Sequence, residues 1–533
     1  MERGARTLTS LLAPAAVLTG LCVARAANAA PPEGEVERLD LGDGPPQAPA
    51  PAPSATNQQS LRSAPATVPR AASGADDDTF EARGWARSRT FAGFAAGPAD
   101  SGELPPLAIP YDRVWSEAQL FGRLRYTRGR HFEVVASGLF TWNLYAREAI
   151  SVAGTSLDAR GSVEPSLREL YLGWLGGRAD LRVGQQRIPW GKGDAFAPNA
   201  VLEPRELRDP LLTETEVNRY PVLAARGDVD LGALQAQLVW VPFFVPDRFD
   251  LYGTNWAFVQ PGAPAAVRGL MGSAFGMVDP TLHPLLQPLV AQTQLPPADL
   301  SGSAVGVKLG TRAGPFDVEA YYHFGYTPLP YYQSSPELVA LLATSPPPEA
   351  ILGAAITAAQ TGTPLFTATY LRRHHGGFAA ETTAGPFVVR TDVAVTSRTT
   401  YLRVADFSSV VAPTAEAAAA VEWQPGEPGC VILVEGNYRR ILDGDTDGLL
   451  GASRDTGGAA LLARWLFFDH LELEARVLQS VGPTGTTARA HVAYKDGAFE
   501  ARVGTVVATG EATSVGGYFQ RNTGAFVALK YAY

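Results

Sequence analysis

His374 and His375 are the closest histidine pair in the chain, and a metal or acid–base centre would start from such a pair. Neighbouring residues of an extended strand point to opposite faces, so the two imidazoles cannot share an ion there. On a loop they could, but two ligands without a third make a poor site. Serine, aspartate and histidine are plentiful, yet no Gly-x-Ser-x-Gly elbow presents a nucleophile. No catalytic residue, metal ion or cofactor is expected, and the chain does not read as an enzyme.

The remaining chemistry is electrostatic. Arg464, Arg476, Arg489, Arg502 and Lys530 recur at roughly one per C-terminal segment. On a common face they would form a basic ladder that favours anionic or polar solutes. Glu472, Glu474 and Glu500 offer the alternative, in which cross-strand pairing merely keeps that wall polar. Glu133, Glu169, Asp317, Glu319, Asp392 and Glu422 carry the opposite sign elsewhere, so two facing walls would set up a transverse field.

Strands must position these groups. In Phe132–Leu144 the even positions are Phe, Val, Ala, Gly, Phe, Trp and Leu, while the odd ones include Glu133, Ser137, Thr141 and Asn143. The same period of two runs through 234–240, 316–326 and 471–477. Alternation alone also fits a soluble sandwich. Three features favour a membrane barrel instead. The strands reach roughly 10 residues, the length a tilted strand needs to cross a bilayer. Aromatics such as Trp142, Tyr145, Trp174, Trp240, Tyr322 and Tyr326 gather at strand ends, as in an interfacial girdle. The chain closes on alternating Ala525, Val527, Leu529, Tyr531 and Tyr533, which resembles the signal read by the barrel-assembly machinery of bacterial outer membranes.

The 533 residues hold 54 Gly, 42 Pro and 2 Cys, with a net charge of −9. That balance disfavours a nucleic-acid partner, and two cysteines cannot build a disulfide framework. Residues 1–29 read as a signal peptide, with Arg3 and Arg6 before an apolar stretch and Ala27-Asn28-Ala29 at the cut. Its removal takes away three arginines and one glutamate, moving the charge from −9 to −11, and leaves Cys430 as the lone thiol. Residues 30–78 are rich in Pro and Ala and read as a disordered periplasmic leader. Residues 79–533 then form an all-β, antiparallel, up-and-down transmembrane barrel of 16–18 strands in the outer membrane of a Gram-negative cell.

Strand topology follows from the rule of short periplasmic turns and long outer loops. Eighteen candidate strands run from 80–90 to 524–533. The apolar stretch 513–520 is left in the last outer loop, and one strand is placed at 366–374. Long outer loops fall at 146–166, 188–220, 242–302, 327–365 and 440–456. Loop 242–302 is oddly apolar, with Phe243, Phe244, Phe249, Trp256, Phe258, Leu270, Met271, Phe275, Leu285, Leu286 and Leu289. It either folds into the mouth or packs as a lid, and 338–356 poses the same choice. Loop 188–220 is charged and either folds inward as an eyelet or caps the rim.

Leu181–Asp209, LRVGQQRIPWGKGDAFAPNAVLEPRELRD, is the most distinctive stretch. It resembles a proteobacterial family of large porin-like outer-membrane β-barrels of unknown function, of which this chain would be a divergent member. That family's pattern is Val-Gly-Arg-Gln, then Trp-Gly, then Asn-Pro-x-Asp-Leu. Val183, Gly184 and Gln186 match the first part, with Gln185 in place of Arg. Trp190 and Gly191 match the second. Pro204 and Leu207 match the third, with Glu203 and Glu206 as replacements. The resemblance implies an outer-membrane barrel that transports hydrophobic or sugar-like compounds, and it supplies no catalytic residue.

The expected function is a porin-like channel for passive passage of small solutes, its mouth narrowed by loops 188–220 and 242–302. The alternatives are a transporter of hydrophobic compounds with an apolar loop pocket, or a plugged barrel acting as a surface scaffold or adhesin. Lipid, the assembly machinery and a small solute are the expected partners.

Overall fold

The computed structural model describes residues 78–94, 112–129, 131–144, 149–153, 156–160, 163–213, 217–260, 291–342, 366–405, 408–426 and 429–533, with short pieces between 350 and 364. The signal segment and all but the last residue of the leader lie outside them, as do Leu270, Met271, Phe275, Leu285, Leu286 and Leu289.

Eighteen strands make one closed sheet. The first nine are β1 (Thr79–Gly93), β2 (Val114–Arg128), β3 (Phe132–Asn143), β4 (Val163–Gly176), β5 (Ala179–Gln186), β6 (Val222–Asp230), β7 (Leu234–Val241), β8 (Ala304–Ala313) and β9 (Phe316–Tyr326). The second nine are β10 (Arg372–Ala384), β11 (Phe387–Leu402), β12 (Ser409–Trp423), β13 (Val431–Ile441), β14 (Asp455–Phe467), β15 (Leu471–Val481), β16 (Gly485–Asp496), β17 (Phe499–Gly510) and β18 (Gly524–Ala532). Each pairs antiparallel with its sequence neighbours, and β18 returns to β1 from Trp85↔Ala532 to Gly93↔Gly524. Tyr533 extends that seam, exchanging backbone hydrogen bonds of 2.9 Å with Gly84. A closed sheet leaves no unpaired edge, which is what a strand in hydrocarbon requires.

The two faces differ as the alternation predicts. Outward residues such as Leu172, Leu238, Val395, Val434, Val503 and Val527 are 52–60% exposed. So broad an apolar band around a closed barrel is a lipid-facing surface. Trp142, Trp174, Trp240 and Tyr322 are exposed on the same face. Among the described residues no helix is long and apolar enough to cross a membrane.

One strand sits elsewhere than the sequence suggests. The expected strand at 366–374 is replaced by β10, Arg372–Ala384, while Phe366–Thr369 belongs to a small sheet with Ala291–Gln294 and Tyr331–Ser334. The turn between β10 and β11 is then only two residues, 385–386. Phe366–Thr369 does form a short strand, but among the outer loops. Residues 511–523 stay outside the barrel as a loop with a short helix at Val515–Tyr518. A second small sheet joins Ala149–Ala153 and Ser156–Arg160 to Phe249–Tyr252, tying two outer loops together.

Candidate functional site

The described residues between β5 and β6, 187–213 and 217–221, fold into the barrel and touch both sides of it. Pro189 ends the strand, and Trp190 turns inward. Trp190 is 3% exposed, donates its indole N–H to Gln237 Oε1 at 2.7 Å, and packs on Tyr321. Ile188, Trp190 and Leu202 join Val222, Ala224, Val239, Tyr321 and Ala379 in an apolar cluster inside the β6–β10 wall. Gly191 then takes φ +89°, a region that a side chain would make costly. Of the remaining motif residues, Gly184 lies at φ +134°. Gln186 is buried and donates to Ala224 O at 3.0 Å, and the Pro204 carbonyl accepts from Tyr220 N at 2.8 Å.

The next turn is held by carboxylates that replace missing backbone partners. Asp392 on β11 accepts from the amides of Lys192 (2.8 Å) and Gly193 (2.6 Å) and from Asn199 Nδ2 (3.2 Å). Glu435 on β13, fully buried, accepts from the amides of Asp194 (3.2 Å), Ala195 (2.7 Å) and Phe196 (2.9 Å). A run of amides converging on one anion is a nest. Arg390 on β11 fixes the Asp194 side chain from the other direction, and pairs with Glu381 (3.1 Å) and Glu422 as well. Gly377 on β10 leaves room for Asn199: a Cβ there would fall 1.7 Å from Asn199 Oδ1.

The loop then reaches the opposite wall. Asp209 accepts from Arg89 on β1 at 2.5 Å, and Arg89 also meets Glu117 on β2 at 3.0 Å. Leu212 packs among Phe91, Trp115, Val506 and Phe526, and its neighbour's carbonyl, Leu211 O, accepts from Arg489 at 3.1 Å. A register shift in the β3–β4 ladder turns Arg168 inward, where it donates to the carbonyls of Val217 (3.1 Å) and Arg219. A segment fixed to β10–β13 at one end and to β1, β2 and β16–β18 at the other crosses the lumen. The charged loop therefore lies inside the barrel rather than as a cap on the rim.

A second layer covers it. Within the described part of the 242–302 loop, Trp256 packs with Tyr518 and Phe519, against Leu211 of the inner loop. Asn255 accepts from the Asp112 amide at 2.9 Å and receives Asn522 Nδ2 at its carbonyl, 2.7 Å away. Asp247 binds the Arg205 amide at 2.8 Å. These apolar residues are filled in by each other and by the 511–522 loop.

The expected lumen charges lie on inward positions, and most of them are paired. Glu474 takes Arg476 (2.8 Å) and Arg489 (2.9 Å). Glu472 takes Lys495 (2.7 Å), and Glu500 takes Arg502. Lys530 lies 5.1 Å from the Trp85 ring, and Arg464 stands opposite Glu474 in the ladder. Glu133 binds Arg182 (2.8 Å) and Arg125 (3.3 Å). Asp317 pairs with Arg312 (3.0 Å) near the short-turn end, and Glu319 with Lys192 (3.4 Å) and Lys308 (3.5 Å). Asp392 is an anchor of the loop. His375 and His374 do face opposite ways: His375 is buried beside Asn199, at 3.2 Å, and His374 meets Tyr322 on the outer face. Glu472, Glu474 and His491 form a compact buried trio, but the carboxylates already hold Lys495, Arg476 and Arg489.

Two loop carboxylates titrate out of the ordinary range. Burial pushes Asp209 above its usual 3.8, against the opposing pull of Arg89. Burial also raises Asp247, against Arg205. A raised value means the folded loop favours the neutral acid, so its stability gains as the pH falls through that value. Acidification therefore adds positive charge to a mouth that stays folded. Under a salt gradient, the reversal potential should move toward anion preference as the pH falls and these acids take up protons. Asp209→Asn should show part of that shift already at neutrality, and a flat wild-type profile would contradict this account.

No protein-family profile matches the sequence, and no curated protein matches it. Among solved structures the fold is similar to OccAB3 of Acinetobacter baumannii, with TM-score 0.43, 9% identity, and coverage of 85% of this chain and 99% of that one. OpdK of Pseudomonas aeruginosa, solved with vanillate, gives 0.42, 9%, 85% and 98%. OmpF of Salmonella typhi, in complex with daunomycin, gives 0.36, 10%, 86% and 98%. By its own strand pairing the chain is a closed β-barrel of 18 antiparallel strands with a polar lumen.

Proposed function

We propose that this protein is an outer-membrane channel for passive passage of small polar solutes, its mouth narrowed by loops 188–220 and 242–302. The carrying observation is the segment 187–221, tethered to opposite walls by Asp392, Glu435 and Arg89. A loop placed there restricts passage without chemistry. The inward ion pairs keep the wall wettable while leaving little net field, which suits uncharged or singly charged solutes better than strongly charged ones. Export by the 1–29 signal and assembly through the strand ending at Tyr533 belong to the same reading.

The test is conductance of the refolded barrel in a planar bilayer under a salt gradient. Stable steps with weak ion preference support the channel. Silence from a barrel shown to be folded would overturn it and favour the hydrophobic-compound transporter or the plugged scaffold, with the outer layer around Trp256 as the place to look for a greasy ligand.

A further inference from the structure

Between the inner loop and the β1–β4 wall lies a cavity whose lining includes Arg89, Glu117, Ser166, Arg208, Thr213 and Arg248. The cavity has a volume of about 60 Å³. A single water needs roughly 10–15 Å³ on that measure, so the space suits a solute of several heavy atoms.

The charges around it do not all cancel. Glu117 and Asp209 are held by Arg89, at 3.0 and 2.5 Å. Glu164 and Glu206 are held by Arg208, at 2.8 and 2.7 Å. Arg248 differs: its guanidinium carbon lies 4.1 Å from the centre of the Tyr220 ring, and it makes no ion pair among the described residues. Its Nε is buried without a hydrogen-bond partner. The ring fixes the guanidinium in place but does not neutralise it. Arg168, 4.5 Å from the same ring, gives its Nη2 to the carbonyls of Val217 and Arg219, keeps its Nη1 buried without a hydrogen-bond partner, and adds a second positive charge nearby. Tyr220 is itself tied down, because its hydroxyl donates to Glu206. A cation fixed at the edge of a polar cavity, with its protein carboxylates already engaged, is a place for a carboxylate from solution.

The geometry points to a subsite for a small hydroxylated monocarboxylate of the sugar-acid kind, its carboxylate on Arg248 and its hydroxyls on Ser166 and Thr213. The assignment rests on the channel reading above and adds the class of solute that the constriction selects. Arginine meets a carboxylate through two parallel hydrogen bonds, which fixes orientation as well as affinity. A neutral sugar leaves Arg248 unanswered. A second carboxylate would approach Glu206 and Asp209, where like charge is unfavourable.

The test is calorimetric titration of the full-length refolded barrel with gluconate, glucose and glucarate, alongside bilayer conductance in potassium chloride on the same preparation. Gluconate should bind in the millimolar range, with glucose and glucarate at least ten-fold weaker. Arg248→Gln should lose at least ten-fold in gluconate affinity, and Arg248→Lys should retain part of it as a point charge. Ser166→Ala, a smaller change, should weaken gluconate a few-fold and keeps the test open if Arg248→Gln does not refold. Conduction without gluconate binding, or binding that ignores these substitutions or the solute's charge, overturns the subsite and leaves the channel standing. Arg248-dependent binding by a barrel that does not conduct overturns the channel and leaves the subsite.

Discussion

Glu435→Gln should open the constriction and leave the barrel closed. Glu435 is 0% exposed and its two oxygens take three backbone amides from one turn of the inner loop. Hydrogen bonds to a charged group contribute about 1.5–3 kcal/mol each. The amide side chain keeps one acceptor and turns an N–H₂ toward amides that themselves donate. The expected loss is about 3–5 kcal/mol of loop docking, the range for breaking a buried charge interaction from one side. At roughly 1.4 kcal/mol per decade, that shifts the loop's open-to-docked ratio by at least a hundred-fold. The β13 ladder is made by backbone groups from Val431↔Arg464 to Arg440↔Asp455 and loses nothing. The measurable signature is flickering, larger single-channel conductance from a barrel whose melting on a denaturing gel is unchanged. Glu435→Asp, which keeps the charge on a shorter arm, should fall between. Identical conductance and noise in all three proteins would show that the loop is held by other contacts.

Most of the barrel could be read from the chain because one physical rule acts on every strand. Lipid outside and water inside impose a period of two, and β3 displays it without exception from Phe132 to Asn143. The strand that went astray, at 366–374, did so because Phe366–Thr369 is a genuine short strand in another sheet. Leaving 513–520 out of the barrel rested on loop asymmetry, and the structure agrees.

The constriction was legible only in part. Trp190, Gly191 and Pro204 stood out as a motif, and the charged loop behind them was an evident candidate for the mouth. What could not be read was its grip. Glu435 lies in VILVEG, where inward Val431 and Leu433 are as apolar as outward Ile432 and Val434, so alternation does not reveal its face. Arg390 and Asn199 carry no local signal, because each derives its role from groups far away in sequence: Asp194 and Glu422 for one, His375 and Asp392 for the other. Spacing along a strand does not say which opposite charge lies within 3 Å. Arg476, Arg489 and Arg502 of the basic ladder are held in ion pairs with Glu474 and Glu500.

Excising the inner loop should produce the largest change of all. Gln186 on β5 pairs directly with Val222 on β6, so the two strands remain neighbours whatever connects them. Replacing residues 188–220 with Asn-Gly leaves Arg187-Asn-Gly-Pro221 between that pair, within the usual two to five residues for a hairpin connection. The deletion removes Ile188, Trp190 and Leu202 from a cluster that Val222, Ala224, Val239 and Tyr321 help to form. Each such side chain contributes about 2–5 kcal/mol when buried, so the barrel should melt at a lower temperature. It should not unfold, because the released polar groups, Asp392, Glu435, Arg390 and Arg168, meet water in the widened lumen rather than an apolar void. Conductance should exceed that of Glu435→Gln, since a loosened loop still occupies space and a missing one does not. Gluconate affinity should vanish with it, because Tyr220, which holds Arg248, is gone. If conductance instead stays at the wild-type level, the resistance lies higher up, in the layer where Trp256 meets Tyr518 and Phe519. The same pair of measurements on a chain shortened at 247–260 would then locate it.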